Sequence, residues 1–207
     1  MTEAATRSAY DAVAVLYADM FRDVMDDLPF DRALLAVFAE LTRGAGPVAD
    51  LGCGPGRLTG HLASLGLPAF GIDLSPEMIA QARREHPDLR FEVGTMTSLD
   101  LEGGSLGGVL AWYSTIHTAP DELPRIFSEF HRVLAPGGHL MIAFQACEGD
   151  TPQPFDHKVA LAYRWPLDPL SDLLRGAGLV EVARLHREAS EHERFPAGHL
   201  LLRKPVP

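Results

Sequence analysis

Apolar and polar positions along the chain change their period after about residue 44. Over "SAYDAVAVLYADMFRDV" apolar side chains recur at Val13, Leu16, Met20 and Val24, the three-to-four spacing of one helical face. A second helix is predicted over "PFDRALLAVFAELTRG", with Pro29 near its first turn and Gly44 as its stop. Short apolar runs at 48–52, 69–74, 90–94, 107–113 and 139–144 then read as strands, separated by helical patterns near 57–65, 76–86 and 121–134. Strands alternating with helices predict parallel pairing through right-handed crossovers, with helices on both faces of an α/β sheet. The end of the chain breaks this rhythm. A helix around "DPLSDLLRGAG" leads to "LVEVARLHRE", and "HLLLRK" follows a polar loop. Two strands joined without a helix pair antiparallel, so the last strand is expected to run against its neighbours. The proline-rich segment 149–169 shows no period and is predicted to be a long loop, of the kind that is functional or mobile.

Composition narrows this to one folded domain over 1–207. The chain is 46% hydrophobic and 22% charged, which suits a globular protein and not a disordered one. No stretch of ~20 apolar residues predicts a membrane span. "MTEAATRSAY" lacks the basic start and apolar centre of a signal peptide, so a cytoplasmic location is expected. Cys53 and Cys147 make neither a disulfide framework nor a zinc set. With a net charge of −10 and no basic cluster beyond Arg83-Arg84, a phosphate backbone would be repelled. Nucleic acid is therefore not an expected partner.

The chemistry concentrates in "VADLGCGPGRLTGHLA", residues 48–63, where three glycines separate a strand from a helix. A dinucleotide turn of the GxGxxG type needs a third glycine at position 57, which is Arg57 here. Instead Gly52, Gly54 and Gly56 follow Asp50, and a carboxylate at that entrance suits a cation or hydroxyl donor better than a pyrophosphate. The next strand ends in Asp73, about twenty residues beyond the first glycine, where an acid can accept hydrogen bonds from ribose hydroxyls.

"VADLGCGPG" followed by "GIDLSPEMIAQAR" resembles the first two motifs of class I S-adenosylmethionine-dependent methyltransferases of the small-molecule type. "FEVGTMTSLDL", "GGVLAWYSTIH" and "FHRVLAPGGHLMIAF" are similar to that family's later motifs, in order, so the resemblance covers about residues 45–205. It implies a Rossmann-like three-layer sandwich with strand order 3-2-1-4-5-7-6, strand 7 antiparallel, and residues 1–44 as helices forming a lid. It also implies S-adenosylmethionine as cofactor and S-adenosylhomocysteine as product. Asp50 and the turn of Gly52, Cys53, Gly54 and Gly56 would hold the methionine part. Asp73 would take the ribose, and Leu74 would lie against the adenine. Gly94, Thr95 and Met96 stand where the family often has Gly-Asp-Ala, so backbone or the Thr95 hydroxyl would meet the adenine amino group. Tyr17, Met78, Ala111 and Tyr113 complete the implied cofactor contacts.

The family's acceptor side follows the fourth strand, at "AWYSTIHTAPDE". It lacks the Asn/Asp-Pro-Pro-aromatic signature of adenine and cytosine amino-methylating enzymes. The Pro-Cys pair of cytosine C5 enzymes and the acid set of magnesium-dependent catechol-type enzymes are missing too. A small-molecule acceptor methylated at O, N or C, without a metal, is the expectation. His117 is the first candidate base, its alternative being a residue packed beside the next helix; His157 is the second. Trp112, Tyr113, Phe144, Phe155, Tyr163 and Trp165 could wall the acceptor space or simply pack the core. Tyr10 and Tyr17, seven apart, share a helical face and resemble the tyrosines of a closing lid in some small-molecule methyltransferases. Two rivals stay open. A nicotinamide-dependent oxidoreductase is opposed by Arg57 and by the lack of a substrate domain; the other is a non-catalytic protein that binds the nucleoside. No membrane partner is expected, and the chain should act as a monomer or homodimer.

Overall fold

The structure, a computed structural model, describes residues 2–20, 28–191 and 193–207. Helix α1 (Glu3–Met20) and helix α2 (Pro29–Thr42) precede the sheet. The part of the first predicted helix beyond residue 20, through Val24, lies outside the described residues. Along α2, Asp31, Leu35, Phe38, Ala39 and Thr42 are buried, the spacing of one helical stripe facing a core.

Strands β1 (Val48–Leu51), β2 (Ala69–Asp73) and β3 (Phe91–Val93) alternate with α3 (Arg57–Ser64) and α4 (Pro76–Glu85). Ser75 caps α4, its hydroxyl accepting from the Met78 amide at 3.1 Å, with Pro76 in the first turn where its missing N–H costs nothing. Strand β4 (Leu106–Trp112), α5 (Leu123–Val133) and β5 (Leu134–Gln145) continue the parallel sheet. After α6 (Leu167–Gly176), strands β8 (Val180–Arg187) and β9 (Ala197–Arg203) form the closing hairpin. The seven strands lie in the order β3-β2-β1-β4-β5-β9-β8, with β9 antiparallel to both neighbours. Counted within this sheet alone, that is the 3-2-1-4-5-7-6 path.

Both faces of the sheet are covered, which explains the unbroken apolar runs in its central strands. Leu140 and Ile142 face a core built with Phe127 and Phe130 of α5 and Leu174 of α6. Met141, between them, turns to the opposite core, with Leu35 and Phe38 of α2 and Leu62 of α3.

Segment 149–169 corrects the sequence expectation. It is no long loop: β6 (Gln153–His157) and β7 (Ala160–Arg164) pair antiparallel as a separate hairpin. Its composition hid it, because Pro154 and polar residues interrupt any alternation. Tertiary anchors supply what the local pattern lacks. The Tyr163 amide donates to Ile116 O at 2.8 Å, the Trp165 amide donates to Gln145 O at 2.9 Å, and Ala162 is fully buried. Among the described residues no helix is long and apolar enough to cross a membrane.

One prediction tests the β5–β9 packing. A Cβ on Gly198 would stand 2.5 Å from Cε2 of the buried Phe144 ring. Gly198→Ala should destabilise the protein by about 1–3 kcal/mol in urea unfolding, the usual cost of overpacking. An unchanged midpoint would refute that close approach.

Candidate functional site

The C-terminal ends of β1 and β4 flank the point where strand order reverses, the position at which open α/β sheets bind ligands. There a cleft of about 1090 Å³ opens between the glycine turn, the exits of β4 and β5, the β6–β7 hairpin and the β8–β9 connection. A smaller hollow of about 510 Å³, beside Arg175 and Glu181, lies at the opposite edge of the sheet.

The turn explains its own glycines. Gly52, Gly54 and Gly56 all take left-handed backbone angles, with φ of +74°, +54° and +83°. A Cβ on Gly52 would lie 2.3 Å from Ser114 Cβ, whereas one on Gly54 would meet nothing within 4 Å. The first glycine thus lets β1 and β4 close together, and the second leaves open backbone facing the cleft.

Asp50 stands at the mouth of this turn, 1% exposed, accepting the Thr59 hydroxyl at 2.7 Å. Burial pushes its carboxyl up to about 7, against the pull of the Thr59 hydrogen bond. Arg57 lines the same wall, and its buried Nη1 makes no hydrogen bond. Asp73 accepts from the Gly54 amide on one oxygen and from the Ser75 amide on the other, both at 2.8 Å. Each oxygen keeps a second lone pair for a ligand hydroxyl. Burial raises the Asp73 carboxyl, and these backbone donors oppose the shift.

Helix α1 lies across the outer end of this site. The Ser75 hydroxyl donates to Asp11 at 2.5 Å, and Thr95 and Thr97 donate to Glu3 at 2.5 and 3.0 Å. Tyr10 packs edge-on against Tyr17 and reaches Nε2 of His117 at 2.8 Å. Nδ1 of His117 lies 2.9 Å from the Leu161 carbonyl, which can only accept, so Nδ1 carries the proton and Nε2 accepts from Tyr10. Burial holds His117 down to about 4, keeping the ring neutral. Both ring nitrogens are therefore engaged. His157 stands edge-on to His117 with ring centroids 5.0 Å apart; it lines the cleft, and its Nδ1 has no hydrogen-bond partner. Burial lowers its pKa as well.

Of the residues expected from sequence, Tyr17, Asp50, Gly52, Cys53, Gly54, Trp112, Tyr113, Phe155 and His157 line the cleft. Gly56, Asp73, Leu74, Gly94, Thr95 and Met96 are not part of its wall; Thr95 donates to Glu3 of α1, and Gly56 backs onto Phe91 and Ala82. Three of the expected residues have fully packed side chains: Phe144 fills the space under Gly198, Ala111 is interior to the sheet, and Met78 is on the buried face of α4. Tyr163 and Trp165 pack against the core.

The structure adds wall residues that the sequence reading passed over: Asp31, Arg57, Gln145, Glu193 and Phe195. Asp31 carries no signal in the sequence beyond an acid in a first helical turn, and Arg57 stands out only as a missing third glycine. Gln145 carried the best signal, a polar residue ending a long apolar strand. Tyr113 adopts φ +53°, an uncommon angle for a residue with a Cβ and a mark of backbone held under strain at a site. Burial raises its hydroxyl pKa, with the Asp31 charge adding to the shift, so the phenol stays protonated.

Two outcomes follow. A carboxyl whose folded pKa is raised binds more protons folded than unfolded, so it takes stability away as pH climbs from its ordinary value near ~4 toward about 7. Asp50→Asn should melt higher than wild type at about pH 8, with the difference closing toward about pH 4; a pH-independent difference would contradict the burial cost. Tyr10→Phe removes the donor to His117 and should speed proteolysis of α1 severalfold while costing only about 1 kcal/mol of global stability. Unchanged cleavage would mean that this contact does not hold the helix down.

Residues 48–138 match the model of a methyltransferase domain family. A demethylmenaquinone methyltransferase from Beutenbergia cavernae is 32% identical over 167 residues, covering 78% of this chain and 66% of its own length. A trans-aconitate 2-methyltransferase from Rhizobium meliloti is 36% identical over 113 residues, covering 54% of this chain and 42% of its own length. The chain thus spans two thirds or less of the curated relatives it matches. In fold it is similar to the 1,6-didemethyltoxoflavin-N1-methyltransferase of Burkholderia thailandensis, solved with 1,6-didemethyltoxoflavin and S-adenosylhomocysteine. The TM-score is 0.77, at 22% identity, over 99% of this chain and 91% of that one. A sequence match across the glycine turn and a fold match along nearly the whole length agree, and the chain belongs to the class I S-adenosylmethionine-dependent methyltransferases.

Proposed function

We propose that this protein transfers a methyl group from S-adenosylmethionine to an O, N or C atom of a small molecule. One observation carries the reading. A buried carboxyl, Asp50, and a half-buried guanidinium whose buried Nη1 makes no hydrogen bond, Arg57, line one cleft together with the open glycine backbone. That pair is complementary to the ammonium and carboxylate of an amino-acid ligand. Asp73, whose carboxyl keeps accepting capacity beyond its backbone donors, suits a ribose hydroxyl.

When bound, S-adenosylmethionine supplies a methyl group made electrophilic by its sulfonium. The chain then has three tasks: to orient an acceptor in line with that methyl, to exclude water and to receive any proton the acceptor releases. Trp112, Tyr113 and Phe155 give the acceptor side apolar surface. His157 is the group we assign to proton removal, because it faces the cleft neutral and with Nδ1 unpartnered. His117, committed to Tyr10 and Leu161, is a positioning residue that ties the α1 lid to the hairpin. We treat residues 1–207 as one functional domain, 1–44 serving as lid and 45–207 as the cofactor-binding core, acting on a soluble acceptor in the cytoplasm.

Titration calorimetry with S-adenosylmethionine, S-adenosylhomocysteine and NAD tests this directly. Both sulfur nucleosides should bind and NAD should not. Asp73→Asn should weaken both by about ten- to a hundredfold, the worth of hydrogen bonds to a charged group. Binding of NAD alone would overturn the proposal in favour of a dinucleotide enzyme.

A further inference from the structure

The polar atoms that lack partners are not scattered; many gather on one face of the sheet at its ligand-binding edge. Directly paired residues of neighbouring strands present their side chains to the same face. Trp112 pairs with Ala143, and Ala143 pairs with His199. One step nearer the edge, Gln145 pairs with Ala197, and Ala197 pairs with Arg187. Trp112, His199, Gln145 and Arg187 therefore share the face that α2 covers, with two alanines leaving shallow ground between them. Asp31, from the first turn of α2, reaches the same place. Its oxygens lie 3.3 Å from Arg187 Nε and 3.8 Å from His199 Nε2, and the Trp112 ring lies tilted at 46° against His199, centroids 5.0 Å apart.

Asp31 is 0% exposed, yet neither of its oxygens makes a hydrogen bond. Arg187 Nε, both nitrogens of His199 and Gln145 Oε1 are buried and likewise make no hydrogen bond, although Arg187 and Asp31 hold each other as an ion pair at 3.3 Å. Native proteins satisfy buried polar atoms, so a cluster of orphans beside a cleft marks ligand groups still to come. The atoms on offer have a definite sense: Asp31 and Gln145 can only accept through these oxygens, and Arg187 Nε–H can only donate. A free carboxylate would meet Asp31 and Glu193 with like charge, whereas an alkyl chain would leave every orphan unpaired.

We propose that Asp31, Gln145, Arg187 and His199 form an acceptor subsite for an uncharged planar heterocycle bearing a cyclic-amide edge, a ring N–H beside a C=O. The ring lies against Trp112. Its N–H donates to Asp31 or Gln145, and its carbonyl accepts from Arg187. The subsite counts as an acceptor site on the strength of the methyl-transfer reading above.

The test uses 2-quinolone, N-methyl-2-quinolone and quinoline as probes on full-length protein saturated with S-adenosylhomocysteine, read by calorimetry and ligand-observed NMR. Benzylamine and benzoate stand for cationic and anionic occupants. 2-Quinolone should bind at least about tenfold tighter than the two analogues that lack its N–H, because a site built to hydrogen-bond discriminates strongly against ligands missing the group. Asp31→Asn and Gln145→Leu should each shrink that preference severalfold while S-adenosylhomocysteine affinity holds. If Asp31→Asn fails to fold, the probe comparison on wild type and Gln145→Leu decides alone. Equal binding of the three rings, no ring binding, or preference for benzylamine or benzoate would overturn the subsite. S-adenosylhomocysteine binding without ring preference sinks only the subsite; ring preference without S-adenosylhomocysteine binding sinks only the methyl-transfer reading.

Discussion

The closeness of the β1 and β4 exits rests on a backbone that no side-chain-bearing residue could follow. Gly52 turns at φ +74° with Ser114 Cβ only 2.3 Å from where its own Cβ would be, and Gly56 turns at φ +83° against the Phe91 ring. Because the chain can pass there, the Gly54 amide reaches Asp73 and Arg57 begins α3 pointing along the cleft wall. The same passage brings Asp50 to full burial, where ionisation is costly without a cation nearby. Close strand packing and a charged ligand site are thus two results of one turn.

Around that turn the cover is assembled from pieces remote in sequence. His117 joins α1 to the β6–β7 hairpin through Tyr10 on one nitrogen and Leu161 on the other. The β8–β9 connection is held in turn: Glu193 pairs with Arg187 at 2.5 and 2.7 Å, Arg194 donates to Asp156 O, and Phe195 packs edge-on against Phe155. Arg164 stacks over the Phe195 ring at 4.1 Å. Water exclusion strengthens every electrostatic contact inside, which is the physical consequence of such cover over a cleft.

A fold of this kind hosts many chemistries, so what distinguishes this chain is what the wall of its cleft presents. That wall is polar where it is most buried. Asp31 is fully buried with Arg187 at 3.3 Å and His199 at 3.8 Å as its charged and polar neighbours, and His199 lies against the Trp112 ring.

How much of this was legible in the sequence divides along a physical line. Hydrophobic period and glycine spacing are local, and they determined the alternation of strands and helices, the closing hairpin and the turn with Asp50 and Asp73. Those features depend on residues within a few positions of one another. The β6–β7 hairpin was not legible, because its strands are stabilised by Ile116 and Gln145 from elsewhere in the chain rather than by their own alternation. Nor was the commitment of His117, the first candidate base: nothing near it in sequence names Tyr10, 107 residues away. Phe144 and Gln145 are adjacent and similar in context, yet one is core and the other wall, since only the register against β9 decides which face each takes. The sequence by itself determined the glycine turn and the acids Asp50 and Asp73, which sit on two consecutive strand-turn-helix units. The polar cluster of Asp31, Gln145, Arg187 and His199, gathered from α2, β5, β8 and β9 by strand pairing, was decided only by the tertiary structure.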